Sequence, residues 1–520
     1  MAKKKIVLVF VHGWSVSNTD TYGGLPDRLR TEATASGMDV LVKEIFLGRY
    51  ISFHDEVRVP DISLAFASAV EDQLSSLIKN GIRFVCITHS TGGPVIRDWW
   101  HRFYLKNSKP GNVKNSICPM SHLIMLAPAN YGSALAQLGK GRLSRMKSWF
   151  GGVEPGQGVL DWLELGSDGG WQLNTEWITT DESHIGKKGV FPFVLTGQSI
   201  DRALYDNLNT YTGESGSDGV VRVAAANLQA RYISLEQQQP ITNPSNKKGE
   251  SNWKAPKLVL NDFQEAPQTA LRVITAKSHS GKDMGIMRSV KKGTRDKKSK
   301  ETIDSILACI GISTKTEYKN LILQFEKETK DIQIKEKLET ETHFLLSDTH
   351  FIQDKYSMVI FRIRDTEGHP VKDFDLILTA GVTSDPNLLP QGFFADKQRN
   401  SVNPETITYF FNYDIMKGTE KVESPEGKTI REATKGAQQL GFKVIPRPDD
   451  GFVHYLPCEI SASKDLLEKA LKPNSTTLVD ICLQRVVYKN VMRLDKGTKI
   501  QDFIKTEPGE EIVKLKFPKN

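Results

Sequence analysis

Short apolar runs recur along the first 290 residues, at 5–11, 40–46, 83–88, 122–127, 192–196, 230–235 and 271–275. Several are continuous rather than alternating, the pattern of strands covered on both faces, as in a parallel sheet flanked by helices. Between them lie helix-like segments. Residues 60–77 form one, with Asp61 in a first turn that favours negative charge. The first half therefore reads as α/β.

From about residue 320 the texture becomes strand-like. "MVIFRIRDTEGHPVKDFDLILTAG" reads as a hairpin or a longer connection, with turn signals at Asp365-Thr366-Glu367-Gly368. "TTLVDICLQRVVYKN" is similar. Residues 320–520 are expected to form a β-rich, sandwich-like accessory domain. Residues 291–319 begin with the basic run "KKGTRDKKSKE" and continue into a short helix over 302–311, a linker between the two halves.

Two stretches interrupt the α/β half. Residues 133–178 are rich in glycine and tryptophan and carry "GKGRLSRMKSWFGG". "QQQPITNPSNKKGESNWKAPK" is polar and proline-punctuated, hence a surface excursion.

A chain of 520 residues is too long for one ordinary core, which agrees with two or three domains. With 39% hydrophobic and 25% charged residues it is globular rather than disordered. A net charge of +7 is too diffuse for a nucleic-acid binder and is compatible with an anionic membrane surface. The five scattered cysteines show no CxxC pair, which favours a reducing compartment and argues against a zinc site. The basic start "MAKKK" precedes an apolar run of only 6–11 that ends in His12-Gly13 without a small-residue cleavage site. It reads as a buried first strand, not a signal peptide, so the expected location is cytoplasmic. No run approaches 18 apolar residues, so no membrane-spanning helix is expected.

The chemistry begins at "FVCITHSTGGPVIRDWW", residues 84–100. A strand runs into Ser90 and two glycines, and a helix follows. A sharp strand-to-helix turn exposes a serine hydroxyl, crowds positions −2 and +2, and aims the next helix N-terminus at the site. Gly92 fills +2, but Thr88 stands at −2, where glycine is commonest. The Thr91 amide is one candidate oxyanion donor. "VFVHGW", residues 9–14, ends the first strand beside this turn, and the Trp14 amide is the second candidate. His12 either orients that loop or is a satisfied structural histidine. In "GESGSDGVVRVAAANL", Asp218 sits in a glycine-bounded loop, suited to hold an imidazole in one tautomer; Asp201 and Asp206 are its rivals. In "VITAKSHSGKDMGIM", His279 follows a strand-like run. The chain order Ser90, Asp218, His279 is that of a serine hydrolase built on a doubly wound sheet.

These motifs resemble those of bacterial lipases and phospholipases of the α/β-hydrolase superfamily. "HGW", "THSTGG", "SDGVV" and "SHSG" are similar to the oxyanion-loop, nucleophile, acid and histidine motifs, and "LAPANYGSAL" to the strand and loop after the nucleophile helix. The resemblance covers residues 1–290, leaves 320–520 unmatched, and departs at Thr88. It implies an α/β-hydrolase doubly wound, mostly parallel sheet with a lid insertion. It also implies Ser90 as nucleophile, His279 as base and acid, Asp218 as orienting carboxylate, and Trp14 and Thr91 amides as the oxyanion hole. Acyl-ester hydrolysis through an acyl-enzyme, with no cofactor, follows.

The 133–178 stretch lies where such enzymes insert a lid. It combines Leu135, Leu138, Leu143, Met146, Trp149, Phe150, Trp162, Trp171 and Trp177 with Lys140, Arg142, Arg145 and Lys147. Residues 135–150 fit a basic amphipathic helix lying in an anionic lipid interface, or else the aromatics pack over the sheet. Lipid or phospholipid esters at a membrane surface are the expected substrates. A soluble carboxylesterase or thioesterase, and a non-catalytic protein that kept the fold, are the alternatives. The accessory domain would dock a membrane or a protein partner or inhibitor, without calcium-loop spacing. A lipid hydrolase without an export signal suits delivery by a specialised secretion machine, as for bacterial type VI lipase effectors, or an intracellular defence or turnover role.

Overall fold

The computed structural model describes residues 5–12, 19–52, 54–105, 117–137, 156–201, 216–238, 256–341, 349–449, 453–462 and 464–487. Trp14, Asp206, all of the basic amphipathic segment after Gln137 and most of the "QQQP" excursion lie outside them.

The continuous apolar runs form a six-stranded sheet, all of its pairings parallel. Its strands are β1 (Lys5–His12), β2 (Asp39–Phe46), β3 (Phe84–His89), β4 (Met120–Leu126), β5 (Phe191–Thr196) and β8 (Ala270–Val273), in the order β2-β1-β3-β4-β5-β8. The central strands are buried on both faces: Leu8, Val9, Ile87, Ile124 and Val194 are all sealed from solvent. That is why their sequences do not alternate. Helices α1 (Leu25–Ala35), α2 (Val59–Lys79) and α3 (Gly92–Trp100) belong to the same core. Asp61 accepts from the Arg58 amide and starts α2 with a capping interaction.

Two elements depart from the sequence reading. Residues 230–235 do form a strand, β6 (Ala230–Gln237), but it leaves the parallel sheet. With β7 (Leu258–Glu265) it joins a second sheet otherwise built from accessory strands. The texture expected to be strand-like from about 320 opens instead with a 21-residue helix, Lys315–Lys335. Tyr318, Leu321, Ile322, Phe325 and Ile332 are its buried stripe, and a Thr314–Glu317 capping box starts it. This helix packs on the parallel sheet: Tyr318 meets the Phe191 and Phe193 rings at 5.2 and 5.3 Å, and Thr329 Oγ1 accepts from the Val273 amide at 3.0 Å.

The second sheet is six-stranded, ordered Phe394–Arg399, Thr406–Asn412, Tyr356–Asp365, Ser475–Leu483, β6, β7. A three-stranded sheet, Phe374–Thr379, Gly441–Pro446 and Cys458–Ser461, shares a core with it around Phe361, Phe374, Tyr409, Val444 and Ile481. The pair is the sandwich-like unit. Strands Tyr356–Asp365 and Phe374–Thr379 lie in different sheets. The Asp365–Gly368 turn closes, with Gly368 donating to Asp365, but the chain then crosses to the other sheet. The longer connection, not the hairpin, is realised.

Cys86, Cys118, Cys309 and Cys458 are buried free thiols, and burial pushes those of Cys118 and Cys458 up to about 12. Among the described residues, no helix is long and apolar enough to cross a membrane.

Candidate active site

Ser90 follows β3 directly and has φ of 54°, a left-handed conformation uncommon for a residue with a Cβ. Its amide donates to Leu126 O at 3.0 Å, and its carbonyl accepts from Gly93 at 3.0 Å and Ala129 at 3.3 Å. The turn is thus tied to the end of β4 on one side and to α3 on the other. The glycines are there for space. A Cβ at Gly93 would lie 2.6 Å from Pro128 Cβ, and one at Gly92 would lie 3.1 Å from Thr88 Cβ. Thr88 at −2 therefore fits because Gly92 faces it. Its hydroxyl is buried and has no hydrogen-bond partner among the described residues.

His279 is fully buried in the loop after β8. Its Nε2 lies 2.9 Å from Ser90 Oγ, and its Nδ1 lies 2.9 Å from Asp218 Oδ2. The backbones are joined too, as the His279 amide donates to Asp218 O at 2.8 Å. Asp218 is fully buried, and its Oδ1 accepts from the Val220 and Val221 amides at 3.0 and 2.7 Å. With one oxygen occupied by amides, the other is left to take the Nδ1–H. That fixes the tautomer whose Nε2 accepts from the Ser90 hydroxyl. The loop's approach to the sheet is close: a Cβ at Gly197 would sit 1.8 Å from Lys277 O.

Of the predicted residues, Ser90, Asp218 and His279 come together. Thr91 is buried at the N-cap of α3, immediately after the serine. Trp14 lies outside the described residues. His12 is buried between the Phe46 ring, stacked at 4.4 Å, and the Tyr22 ring at 4.8 Å. Burial lowers its pKa to about 4, so it is neutral at neutral pH. Trp162, Trp171 and Trp177 are buried: the Arg362 guanidinium lies 4.1 Å over Trp171, and Trp177 Nε1 donates to Leu228 O. These three aromatics pack inside the molecule.

One residue was missed. His89 Nε2 donates to the His279 carbonyl at 2.9 Å, and the two rings lie 4.6 Å apart. Burial and the neighbouring His279 hold its pKa well below the usual histidine value. Its place next to the serine in "THSTGG" was the available signal.

The acid loop is braced from outside the parallel sheet as well. Ser133 Oγ donates to Val220 O at 2.6 Å. Ser401 and Asn400 of the accessory sheet bond Glu164 and Leu165, and Gln398 bonds Gln137. Both described ends of the 133–178 stretch are therefore pinned to one accessory hairpin. No group of three or more His, Cys, Asp or Glu suited to a metal occurs among the described residues.

A solved structure, phospholipase PlaB from Legionella pneumophila, is 41% identical to this chain, covering 95% of it and 97% of PlaB, with a TM-score of 0.79. The chain belongs to the PlaB phospholipase family. A second PlaB structure, in complex with thio-NAD, matches at 40% identity over the same shares, again with a TM-score of 0.79. A scan against protein-family models and a search of curated proteins found no match. The likeness spans nearly all of both chains, so the accessory sheets belong to the family along with the hydrolase sheet. This PlaB-family chain is a serine ester hydrolase of the α/β-hydrolase superfamily, bacterial lipase and phospholipase-like, acting on lipid esters.

Proposed function

We propose that the chain is a phospholipase of the A type, cleaving acyl esters of phospholipids at a membrane surface with Ser90, His279 and Asp218 as its triad. The observation that carries this reading is the unbroken relay from Ser90 Oγ to His279 to Asp218, 2.9 Å at each step.

Ser90 Oγ attacks the acyl carbonyl carbon as His279 Nε2 takes its proton. Asp218 holds the imidazole and stabilises the imidazolium. The carbonyl oxygen becomes an oxyanion, received by the Thr91 amide at the start of α3 and by the Trp14 amide. Collapse expels the glycerol-side oxygen, which takes the proton from His279, and an acyl-serine remains. Water, deprotonated by His279, then releases the fatty acid.

Phospholipid is favoured over neutral fat by the net charge of +7 and by the basic residues of 139–147, which suit an anionic surface. The domain division is part of the proposal: a hydrolase domain over 1–290 with a lid at 133–178, a linker over 291–319 and an accessory domain over 320–520. To it we add that β6 and β7 serve the accessory sheet, while the helices Lys300–Gly311 and Lys315–Lys335 bury their apolar residues in the core of the hydrolase sheet and so belong with the hydrolase domain. Because a PlaB structure is in complex with thio-NAD, binding of a nicotinamide dinucleotide by this chain is also proposed. Calorimetric titration with NAD tests it, and no heat at millimolar concentration removes it.

The main test is labelling by a fluorophosphonate probe together with acyl release from phospholipid vesicles. Ser90→Ala should lose both. A wild-type preference for short soluble esters over vesicles would replace the phospholipase by a carboxylesterase. Retained turnover in Ser90→Ala would remove the mechanism.

A further inference from the structure

The carboxylate of Asp218 is aimed by a very short loop whose far end is held from two sides: by the segment after β4, where the Tyr131 amide donates to Ala225 O at 3.0 Å and Asn130 Nδ2 to Ala226 O at 2.6 Å, and by the accessory sheet. Ser217 and Arg222 form an isolated antiparallel bridge that brackets the acid, and the Asp218 amide donates to Val221 O at 3.2 Å. Arg222 is also the N-cap of the helix Val223–Ala226, its carbonyl accepting from Ala225 and Ala226. Any movement of Arg222 is therefore passed to Asp218 within one turn of backbone.

Arg222 itself reaches into the accessory sheet. It is only 6% exposed. Its Nη2 donates to Asp396 Oδ2 at 2.9 Å, and its guanidinium carbon lies 3.2 Å from the centre of the Phe410 ring. Asp396 and Phe410 are cross-strand partners, directly opposite one another, so a single rung of that sheet presents an anion and a ring face to one cation. A register break between Phe394 and Asp396 falls at the same place, the kind of irregularity that re-aims a side chain. Two more accessory contacts reach the loop from the same side. A Cβ at Gly216 would lie 2.6 Å from the Tyr356 ring, and Thr476 Oγ1 donates to Ala224 O at 2.7 Å. Asp396 is 174 residues beyond Arg222, and no purely local requirement of the loop calls for it.

We propose that Arg222 is a positioning residue for Asp218, clamped by Asp396 and Phe410, so that the accessory sheet sets the turnover of the hydrolase site. The proposal rests on the triad reading above and goes beyond it. If the clamp is released, the carboxylate loses its alignment with His279 Nδ1, and a misplacement of about 1 Å can cost on the order of 10²-fold in rate. Substrate binding, which does not involve Asp218, should change little.

The test uses the full chain. Active sites are titrated to end point with a fluorophosphonate, and kcat per titrated site and KM are measured for Arg222→Met, Arg222→Lys, Asp396→Asn and Arg222→Met/Asp396→Asn. Arg222→Met is expected to lower kcat per site by at least tenfold with KM within about twofold. Arg222→Lys keeps the ion pair but not the flat contact with Phe410, and should fall between wild type and Met. Asp396→Asn, at a half-exposed side chain that folding tolerates, should lose about three- to tenfold. The double variant should be no slower than Arg222→Met alone, since both changes release one clamp. A role confined to holding the domains together would lower Tm and the titratable fraction while leaving kcat per site unchanged. That result, or additive losses in the double variant, overturns the proposal. It would do so with Ser90→Ala still inactive, leaving the triad reading intact.

Discussion

Acidification should destabilise this protein through His12, and the size of the effect follows from where that ring sits. His12 ends β1 with 1% of its surface exposed, stacked on Phe46 and edge-on to Tyr22. Burial lowers its pKa from 6.5 to about 4. The charged group facing it is Glu44, Oε1 at 3.6 Å, whose own carboxyl is pushed up by burial and so offers the imidazolium little relief. The folded protein thus keeps His12 neutral where the unfolded chain would protonate it. Stability from this group is fully present above pH 6.5 and is lost as pH falls toward 4. At pH 4.5 the linkage amounts to about 2.5 kcal/mol, and its limit below pH 4 to about 3.4 kcal/mol. The comparison is His12→Phe, which keeps the ring contacts and cannot titrate. Urea unfolding of both proteins between pH 7.5 and 4.5 isolates the effect, because His89 and the other titrating groups are common to both. Wild type should lose about 2.5 kcal/mol relative to His12→Phe across that range. A difference between the two that stays constant within about 0.5 kcal/mol would refute the reasoning, and with it the idea that burial governs this histidine.

Three further outcomes are expected. Asp218→Asn keeps an acceptor for the Val220 and Val221 amides but turns an NH₂ toward His279; turnover on vesicles should fall by about 10³- to 10⁴-fold with the circular dichroism spectrum unchanged. Thr88→Val removes a buried hydroxyl that has no partner among the described residues and keeps the shape facing Gly92, so activity should persist and unfolding free energy should rise by about 1 kcal/mol; a loss of stability would show that the hydroxyl is satisfied. Gly93→Ala drives a Cβ to 2.6 Å from Pro128, so thermal unfolding should report a loss of about 1–3 kcal/mol, and fluorophosphonate labelling of Ser90 should slow.

What the linear chain settled is whatever a few neighbouring residues can dictate. Continuous apolar runs such as 84–88 and 122–126 suit strands covered on both faces, and they became β3 and β4. Ser90 and the two glycines after it specify a crowded strand-to-helix turn because only glycine leaves room at Gly92 and Gly93. The helix Lys315–Lys335 was legible too, in its Thr314–Glu317 box and its 3–4 spacing of apolar residues, but was hidden by the strand-like texture that follows. Other choices belonged to the tertiary structure. β6 mixes polar Arg231, Ser234 and Glu236 with apolar residues, which says strand but not which strand it pairs with; its partner, the strand Ser475–Leu483, lies more than 230 residues away, and only packing selects it. Arg222 looked like one more basic residue in a valine-rich loop until the fold set Asp396 and Phe410 against it. His89 gained a partner only when the histidine loop returned to β3. Local sterics and periodicity act over a handful of bonds and can be read in order along the chain. Burial and charge pairing depend on which distant surfaces meet, and that is decided by the free energy of the whole folded molecule.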